Sequence, residues 1–454
     1  MNSFKKLFTI LSITCAFALV GCGEDEPCDG KACADGEVLD NSTCECVSTT
    51  PCPDVTCAED EIINAADCTC IDIGPEVIEV IENISENVTW TAEKPYHLGA
   101  RVTVLPGATL TIEAGAVIKG EAGIQNNSTA LLIARGAKIE ANGTAALPII
   151  FTSVADNITP ADVAAGNYSS PNLAPTINGL WGGIIVLGGA PISAQNEADE
   201  DVAELQIEGI PTSDSNGLYG GNDAEDNSGT LNYVSIRHGG TNIGAGNEIN
   251  GLTLGGVGSG TTISNVEVVA NADDGIEWFG GTCSATNVLV WNCFDDALDT
   301  DQAWNGTCTN FLVVTPQTGS AMELDGPEGA LTQGTNQFTD GTIYIGDNFD
   351  HIIDWDESTN TGVENVYFYG FAADINADGS GKPIESFGGD GTGSSVLWQY
   401  TLPEGVTADK VFTDGTPADV ISEVALNANT VGVDAGVFGW TWASDSGALS
   451  SIGL

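Results

Sequence analysis

Short runs of alternating apolar and polar residues follow one another from about Val88 to the end of the chain, and glycines lie where the runs meet. The clearest run covers residues 102–119, and similar runs follow at 130–143 and 148–153. Alternation with a period of two predicts strands whose successive side chains point to opposite faces. Short strands that recur roughly every twenty residues with glycine turns predict a parallel β-helix, an all-β solenoid in which each coil stacks on the one before.

The C-terminal half of the chain repeats two strands in each coil. The second strand of each pair covers residues 276–279, 298–301, 322–325, 353–356 and 384–387. The first strand begins with an Asn in all but one coil, where Gly341 takes that position; the others begin with Asn265, Asn287, Asn310 and Asn365. Asn side chains stacked on successive coils can bond to one another, so the pattern predicts an Asn ladder along the β-helix.

Acidic residues occupy the same position in every second strand. In a strand of period two, the first and third side chains point inward and the second and fourth point outward. The sequence therefore predicts two outward columns of carboxylates: Glu277, Asp299, Glu323, Asp354 and Glu385 in the first, and Asp301, Asp325 and Asp356 in the second. Coils stack about 4.8 Å apart. Two like charges about 5 Å apart repel by roughly 3 kcal/mol at an effective dielectric of about 20, so the columns require solvation, protonation or a bridging cation.

Three interpretations of the two columns remain open. They form a solvated acidic face without a specific ligand, or they bind Ca²⁺, because carboxylate oxygens are the ligands that Ca²⁺ prefers. The third interpretation is a catalytic cluster, since glycoside hydrolysis needs a pair of carboxylates at a suitable separation; no residue is assigned a catalytic role. His351 and Lys382 lie three residues before two acids of the first column and are expected to neutralise part of it. Trp278 and Trp355 fall on inward positions and are expected in the core.

The N-terminus has the features of an export signal. Lys5 and Lys6 precede an apolar run at 7–20 that is too short to span a bilayer as a stable helix. The tetrapeptide at 19–22, Leu-Val-Gly-Cys, resembles the lipobox of bacterial lipoproteins, which implies cleavage before Cys22 and lipidation of its thiol. The acidic run that follows it resembles the surface-export signal of Bacteroidota lipoproteins. We therefore expect a signal peptide at 1–21, a lipidated tether at 22–27, and an outer-membrane location facing the cell exterior.

Cysteine spacing predicts a small stalk over residues 28–72. Eight cysteines form two copies of the pattern C-x4-C-x10-C-x-C: Cys28, Cys33, Cys44 and Cys46, then Cys52, Cys57, Cys68 and Cys70. An even number of cysteines in an exported segment favours disulfides, and two tetrathiolate metal sites are the alternative. Residues 73–87 are expected to be a linker. In the main domain, Cys283 and Cys308 each follow Gly-Thr and are expected to form a disulfide between coils, which leaves Cys293 as a buried thiol.

Two further motifs strengthen the case for a solenoid, namely the segments 181–188 (WGGIIVLG) and 233–240 (YVSIRHGG). With the alternating runs, they make roughly residues 85–454 similar to right-handed parallel β-helix surface proteins of the pectin-lyase-like type. The resemblance implies a right-handed parallel β-helix over 88–454. An acidic loop interrupts the pattern near 193–229, and residues 438–442 are expected to cap the open end. The same fold serves lyases, hydrolases, epimerases and adhesins, so it does not decide the function.

The charge balance limits the partners. The chain has 64 acidic and 11 basic residues, and removal of Lys5 and Lys6 with the signal peptide changes the formal charge from −53 to −55. Such a protein is a poor partner for nucleic acid. We expect a surface lipoprotein, held to the membrane by its lipid, that binds glycans or other cell-surface ligands without catalysis, with Ca²⁺ as its one cofactor. A polysaccharide-degrading lyase or glycoside hydrolase is the first alternative, and a structural adhesion rod is the second.

Overall fold

The structure is a computed structural model. It describes residues 37–40, 45–48, 61–64, 69–72, 77–123, 128–196, 198–241, 249–314, 319–332, 334–346, 351–355, 358–375, 396–412 and 419–454. The chain divides into two compact units, Met1–Gly74 and Pro75–Leu454. Among the described residues, no helix is both long enough and apolar enough to cross a membrane.

The first unit contains two antiparallel hairpins. Strand β1 (Glu37–Asp40) pairs with β2 (Glu45–Ser48), and β3 (Glu61–Asn64) pairs with β4 (Thr69–Asp72). The second hairpin begins 24 residues after the first, which is the period of the cysteine repeat. Cys46 and Cys70 are described only through their backbone; the other cysteines predicted to act in this unit lie outside the described residues, and they are Cys22, Cys28, Cys33, Cys44, Cys52, Cys57 and Cys68. The lipid anchor and the disulfides of the stalk stay predictions.

The second unit is built almost entirely from short strands. In chain order they are β5 (Ile78–Val80), β6 (Val88–Trp90), β7 (Tyr96–Leu98), β8 (Arg101–Val104), β9 (Thr109–Ile112), β10 (Val117–Gly120), β11 (Ala130–Ile133), β12 (Lys138–Asn142), β13 (Ile149–Ser153), β14 (Ile184–Leu187), β15 (Ala194–Gln195), β16 (Asp201–Val202), β17 (Glu204–Gln206), β18 (Leu218–Gly220), β19 (Gly229–Arg237), β20 (Leu252–Gly255), β21 (Thr262–Val269), β22 (Ile276–Phe279), β23 (Ala285–Trp291), β24 (Leu298–Asp301), β25 (Thr307–Val314), β26 (Met322–Leu324), β27 (Asn336–Thr339), β28 (Thr342–Gly346), β29 (Asp354–Trp355), β30 (Thr361–Glu364), β31 (Tyr367–Phe371), β32 (Trp398–Tyr400) and β33 (Ile421–Glu423). Three short helices accompany them: α1 (Pro160–Ala164), α2 (Trp442–Asp445) and α3 (Ala448–Ser451).

These strands stack into three parallel faces, as expected for a parallel β-helix. The first face is an eight-stranded sheet made of β8, β11, β14, β20, β22, β24, β26 and β29. The other two faces belong to one seventeen-stranded sheet, because β19, β21, β23 and β25 are long enough to cross from one face to the next. The second face holds their N-terminal halves with β6, β9, β12, β27 and β30. The third face holds their C-terminal halves with β5, β7, β10, β13, β28, β31, β32 and β33.

An Asn ladder lies along the bend between the second and third faces. Asn265, Asn287 and Asn310 have φ angles of 51°, 58° and 60°, the left-handed conformation that Asn adopts more readily than most residues. The Nδ2 atom of Asn287 donates to Oδ1 of Asn265 at 2.9 Å, and Nδ2 of Asn310 donates to Oδ1 of Asn287 at 2.8 Å. The predicted ladder is therefore confirmed over these coils.

The core fills the space between the three faces. Trp278 is fully buried and stacks on Trp304, with ring centroids 4.7 Å apart, and Trp355 is also buried. Trp278 and Trp355 are therefore core residues, as their inward positions predict. Their burial removes them as platforms for a sugar ring.

The predicted disulfide between Cys283 and Cys308 is wrong. Both residues and Cys293 are free, buried thiols. The register explains the error, because Cys308 lies opposite Ala285, two residues beyond Cys283. Equal sequence context before two cysteines did not place them opposite each other on adjacent coils.

The β-helix begins earlier in the chain than expected. The insertion near 193–229 packs against the β-helix. Strand β5 pairs with β7, so the β-helix includes part of the segment 73–87 that the sequence assigns to a linker. The insertion forms two antiparallel hairpins, β15 with β16 and β17 with β18. Its Ile207, Ile210 and Tyr219 pack against the outward side chains of β11 and β14 on the first face. Two ion pairs, Arg101 with Asp214 and Arg135 with Glu204, join it to the N-terminal coils.

The C-terminal strap, residues 429–454, does not cap the end of the solenoid as expected. It packs on the outside of the third face, where Trp442 and Leu449 share a hydrophobic cluster with outward residues of β23 and β25. Leu289 and Leu312, which face away from the core on successive coils, require such a cover. Arg237 and Glu267 are fully buried beneath the strap, with the Arg237 guanidinium 5.0 Å from the Trp442 ring. Arg237, at the end of β19, is therefore shielded from solvent by the strap.

Candidate functional site

The first acidic column exists in the register that the sequence predicts. On the first face, Glu277 lies opposite Asp299, Asp299 lies opposite Glu323, and Glu323 lies opposite Asp354. Inward neighbours such as Leu298 and Met322 belong to the core, so these acids point away from it. Glu385 and Asp356 lie outside the described residues. The column is therefore confirmed over four successive coils.

The second column is less regular. Asp301 lies opposite Phe279, and the amide of Asp325 donates to the carbonyl of Thr300 at 2.8 Å. Burial, followed by the charge of Glu328, raises the pKa of Asp301 well above its ordinary value. Glu328 comes from a turn and has no place in either predicted column.

The side chains of the first two acids of the column point away from the core but are shielded from solvent. Glu277 is 7% exposed and Asp299 is 8% exposed, which contradicts the interpretation of a solvated face at these positions. The insertion covers this part of the first face: the ring of Tyr219 packs edge-on against Phe279, and its hydroxyl donates to Gln302 Oε1 at 2.8 Å. Glu323 and Asp354 are partly exposed beyond this cover.

A second file of polar residues runs beside the acids, at the turn before each strand of the first face. Its members are Asn250, Asp274, Asp296, Ser320 and His351, and backbone hydrogen bonds join them from coil to coil. Oδ1 of Asp274 accepts from the amide of Asp296 at 2.9 Å, and Oδ1 of Asp296 accepts from the amide of Ser320. The second oxygen of each of these two carboxylates is left for other partners.

The two files meet in a buried acidic triad formed by Asp274, Glu277 and Asp299. One oxygen from each of the three carboxylates lies within 4.8 Å of the other two. Asp274 also belongs to a more exposed group with Asp273 and Asp295, which satisfies the same distance limit. Glu277 and Asp299 of the triad belong to the predicted first column, whereas Asp274 comes from the turn file, which the predicted columns do not include.

The surroundings of the triad disfavour three ionised carboxylates. Burial is the main cause that raises the pKa of each of the three acids well above its ordinary value, and other carboxylates are the next cause in every case. The charged neighbours that act most strongly on them are all acidic. His351 lies 3.4 Å from Asp354, at the other end of the column.

Two oxygen atoms at the triad have no hydrogen-bond partner. Oδ1 of Asp299 is buried and unbonded, and so is Oδ1 of Asn250, whose amide group donates to Glu277. Unsatisfied buried acceptors are rare in proteins because they lose their hydration without replacement. Three carboxylates and an amide oxygen are a donor set that suits Ca²⁺. The residues present therefore fit a divalent cation.

Comparison with known proteins identifies the family to which the chain belongs. A profile of the pectate-lyase-like β-helix domain matches residues 82–167 and 169–443, which is well over half of the chain. The chain belongs to that family. The comparison with curated proteins finds no match, and neither does the comparison with solved structures. Membership in the pectate-lyase-like β-helix family agrees with the three parallel faces and leaves the chemistry to the site itself.

Proposed function

We propose that this chain is an exported, lipid-anchored protein of the outer surface whose β-helix binds glycans or other cell-surface ligands without catalysing a reaction. A divalent cation, Ca²⁺ in the first instance, is held by Asp274, Glu277 and Asp299. The observation that supports the cation is the unbonded Oδ1 of Asp299, a buried carboxylate oxygen with two other carboxylates beside it. A bound cation would satisfy that oxygen and remove the repulsion between the three groups.

Two features of the triad favour binding over catalysis. The triad lies under the insertion with each member less than a tenth exposed, so a polymer cannot reach all three groups directly. In addition, oxygen atoms within 4.8 Å of one another are too close for the inverting mechanism, which holds a water between carboxyls about 6.5–9.5 Å apart; they argue against that mechanism alone.

The cation is tested by thermal unfolding of the full chain in millimolar CaCl₂ against NaCl of equal ionic strength. A cation that binds only the folded state stabilises it by about 2.7 kcal/mol when its concentration is 100 times the dissociation constant. We expect a rise in Tm that is specific to CaCl₂ and lost in Asp299→Asn. The exposed Asp419→Asn is the matched control and should respond as the wild type does. Equal rises in both salts would show that only charge screening is present.

The lipid anchor is tested separately. Cys22→Ser removes the thiol that would carry the lipid. The variant should leave the membrane fraction, because without acyl chains the protein has no durable attachment to the bilayer. Unchanged membrane association of this variant would contradict the lipoprotein assignment.

A polysaccharide-degrading enzyme is the second candidate, and Glu323 is the observation that favours it. Burial and a hydrogen bond with Asp296 raise the pKa of Glu323 to about 9. A carboxylic acid that stays protonated near neutral pH is what a glycosidase uses as its general acid. Incubation with polysaccharides followed by analysis of released oligosaccharides distinguishes the two functions: products that disappear in Glu323→Gln would establish the enzyme, and bound but intact polymer supports the binding protein.

A further inference from the structure

Asn250 occupies a position equivalent to that of Asp274, one coil earlier. The amide of Gly251 donates to the carbonyl of Asp274 at 2.9 Å, just as the amide of Gly275 donates to the carbonyl of Asp296 at 2.8 Å. The turn file therefore starts with a neutral amide and continues with two carboxylates. Asn250 is 1% exposed, so its side chain is fully enclosed at the end of the triad nearest the N-terminus.

The two polar atoms of the Asn250 amide group differ, because Nδ2 makes hydrogen bonds and Oδ1 makes none. Its Nδ2 atom donates to Oε2 of Glu277 and, at 3.3 Å, to Oγ1 of Thr253. Its Oδ1 atom has no partner, although an amide oxygen can accept two hydrogen bonds. Thr253 lies opposite Glu277 on the first face, so both contacts of Nδ2 are made at the triad. The side chain thus touches the triad with its donor while its acceptor stays unused.

We infer that Asn250 is the neutral oxygen ligand of the cation held by Asp274, Glu277 and Asp299, and that its amide turns over when the cation binds. The inference rests on the proposed cation. Without a cation, the NH₂ group donates a hydrogen bond to Glu277. With a cation present, the cation becomes the partner of that carboxylate, and rotation by 180° about the last side-chain torsion places Oδ1 where Nδ2 was.

This fourth ligand gives the site a preference for Ca²⁺ over Mg²⁺. Ca²⁺ accepts six to eight oxygen ligands in flexible geometry, including Asn carbonyls, whereas Mg²⁺ retains several waters in a strict octahedron. Four protein oxygens in an enclosed space leave little room for the waters that Mg²⁺ keeps. Loss of the amide oxygen should weaken Ca²⁺ binding and admit one more water to the cation.

The experiment uses Tb³⁺ as a luminescent substitute for Ca²⁺ on the purified full chain. Luminescence lifetimes in H₂O and D₂O give the number of waters on the bound ion, and calorimetry gives the affinities for Ca²⁺ and Mg²⁺. Asn250→Ala should add about one water and weaken Ca²⁺ binding by at least about tenfold, the smallest effect usual for residues that support a metal ligand. Asn250→Asp should restore the wild-type water count, because it returns an oxygen to the same place.

Asn287→Ala is the matched control, since it removes an Asn side chain from the ladder, away from the triad. It should leave the water count and the Ca²⁺ affinity unchanged. Asn250→Leu, which fills a similar volume without an oxygen ligand and should have the same effects, serves if Asn250→Ala does not fold. If Asn250→Ala binds Ca²⁺ and Tb³⁺ as the wild type does while Asp299→Asn abolishes binding, the triad holds a cation without Asn250 and the inference fails. If the wild type binds neither ion, the proposed cation and the inference both fail.

Discussion

Glu323 shows how a single acid of the column links stability to pH. Burial and the neighbouring Asp296 raise its pKa to about 9. A carboxyl whose pKa is higher in the folded state than in the unfolded state stabilises the fold at low pH, and this contribution is lost as the pH rises through the folded-state value. In the absence of divalent cations, the column therefore stabilises the protein most under acidic conditions.

We predict that, in a chelating buffer, the free energy of unfolding falls as the pH is raised from about 5 to 9. Urea unfolding at fixed ionic strength measures this dependence. Glu323→Gln, which cannot ionise, should flatten part of the slope, while millimolar CaCl₂ should flatten the slope of the wild type by compensating the ionised triad. A stability that rises over this range in the chelating buffer would contradict the raised pKa of the buried acids.

The residue scale also shows where sequence analysis stopped. The outward column was predictable because a period of two fixes the side to which Glu277 and Asp299 point. Their burial was not predictable, since Tyr219 and the rest of the covering insertion are distant in sequence. Asn250 had a detectable signal: like Asp274 and Asp296, it stands two residues before the apolar start of a strand. Its amide side chain keeps it out of a pattern defined by acids alone.

At the scale of single elements, the Asn ladder is the feature whose contribution can be measured most directly. Asn287 donates to Asn265 and accepts from Asn310, so its removal breaks two hydrogen bonds. Each is worth about 0.5–1.5 kcal/mol. Asn287 also has a left-handed backbone conformation, which costs roughly 1–2 kcal/mol when a residue such as Ala must adopt it.

We predict that Asn287→Ala lowers the free energy of unfolding by roughly 2–5 kcal/mol. Asn287→Gly should lose less, because Gly accepts a positive φ while still breaking the ladder. Chemical unfolding of both variants separates the backbone cost from the hydrogen bonds. Equal stability of the Ala variant and the wild type would show that the ladder does not stabilise the coils.

The position of some elements follows from the local sequence pattern, whereas that of others depends on contacts with distant coils. Stacked strands follow from local alternation, so the coils from β8 to β29 agree with the sequence. The insertion and the strap consist of mixed polar and apolar residues whose partners lie on distant coils, for example Ile207 on the first face and Trp442 on the third. Their location depends on which outward surfaces remain apolar, and a linear pattern does not contain that information.

For the whole molecule, the strap changes how the coils depend on one another. In a simple solenoid each repeat contacts only its neighbours, so the terminal coils can open independently. Here the amides of Trp442 and Ala443 donate to Glu267, while Asp445 accepts from the amide of Ser169 at 2.9 Å. The hydroxyl of Tyr369 donates to the carbonyl of Ile452 at 3.0 Å. The strap therefore ties early coils to late ones.

We predict that Trp442→Ala increases local opening of the coils beneath the strap without affecting the first coils. The buried free thiols Cys293 and Cys308 report this opening, because they react with a thiol reagent only when their coils separate. Loss of a buried Trp costs about 3–5 kcal/mol, which should raise their labelling rates by about tenfold or more. Amide hydrogen exchange in β8 and β11, which belong to the first face rather than the third, is the internal control. A uniform rise over the whole chain would indicate global destabilisation and contradict the local role.

The same strap sets an order of events during synthesis. Ser169 and Asp445, which bond to each other, are separated by 276 residues. At about 5–20 residues per second, the ribosome needs roughly 14–55 s to deliver the second partner after the first. During that interval the outward apolar residues of the third face, Leu289 and Leu312 among them, emerge without their cover. A nascent chain of this protein is therefore most exposed to aggregation or to chaperones just before the strap is made.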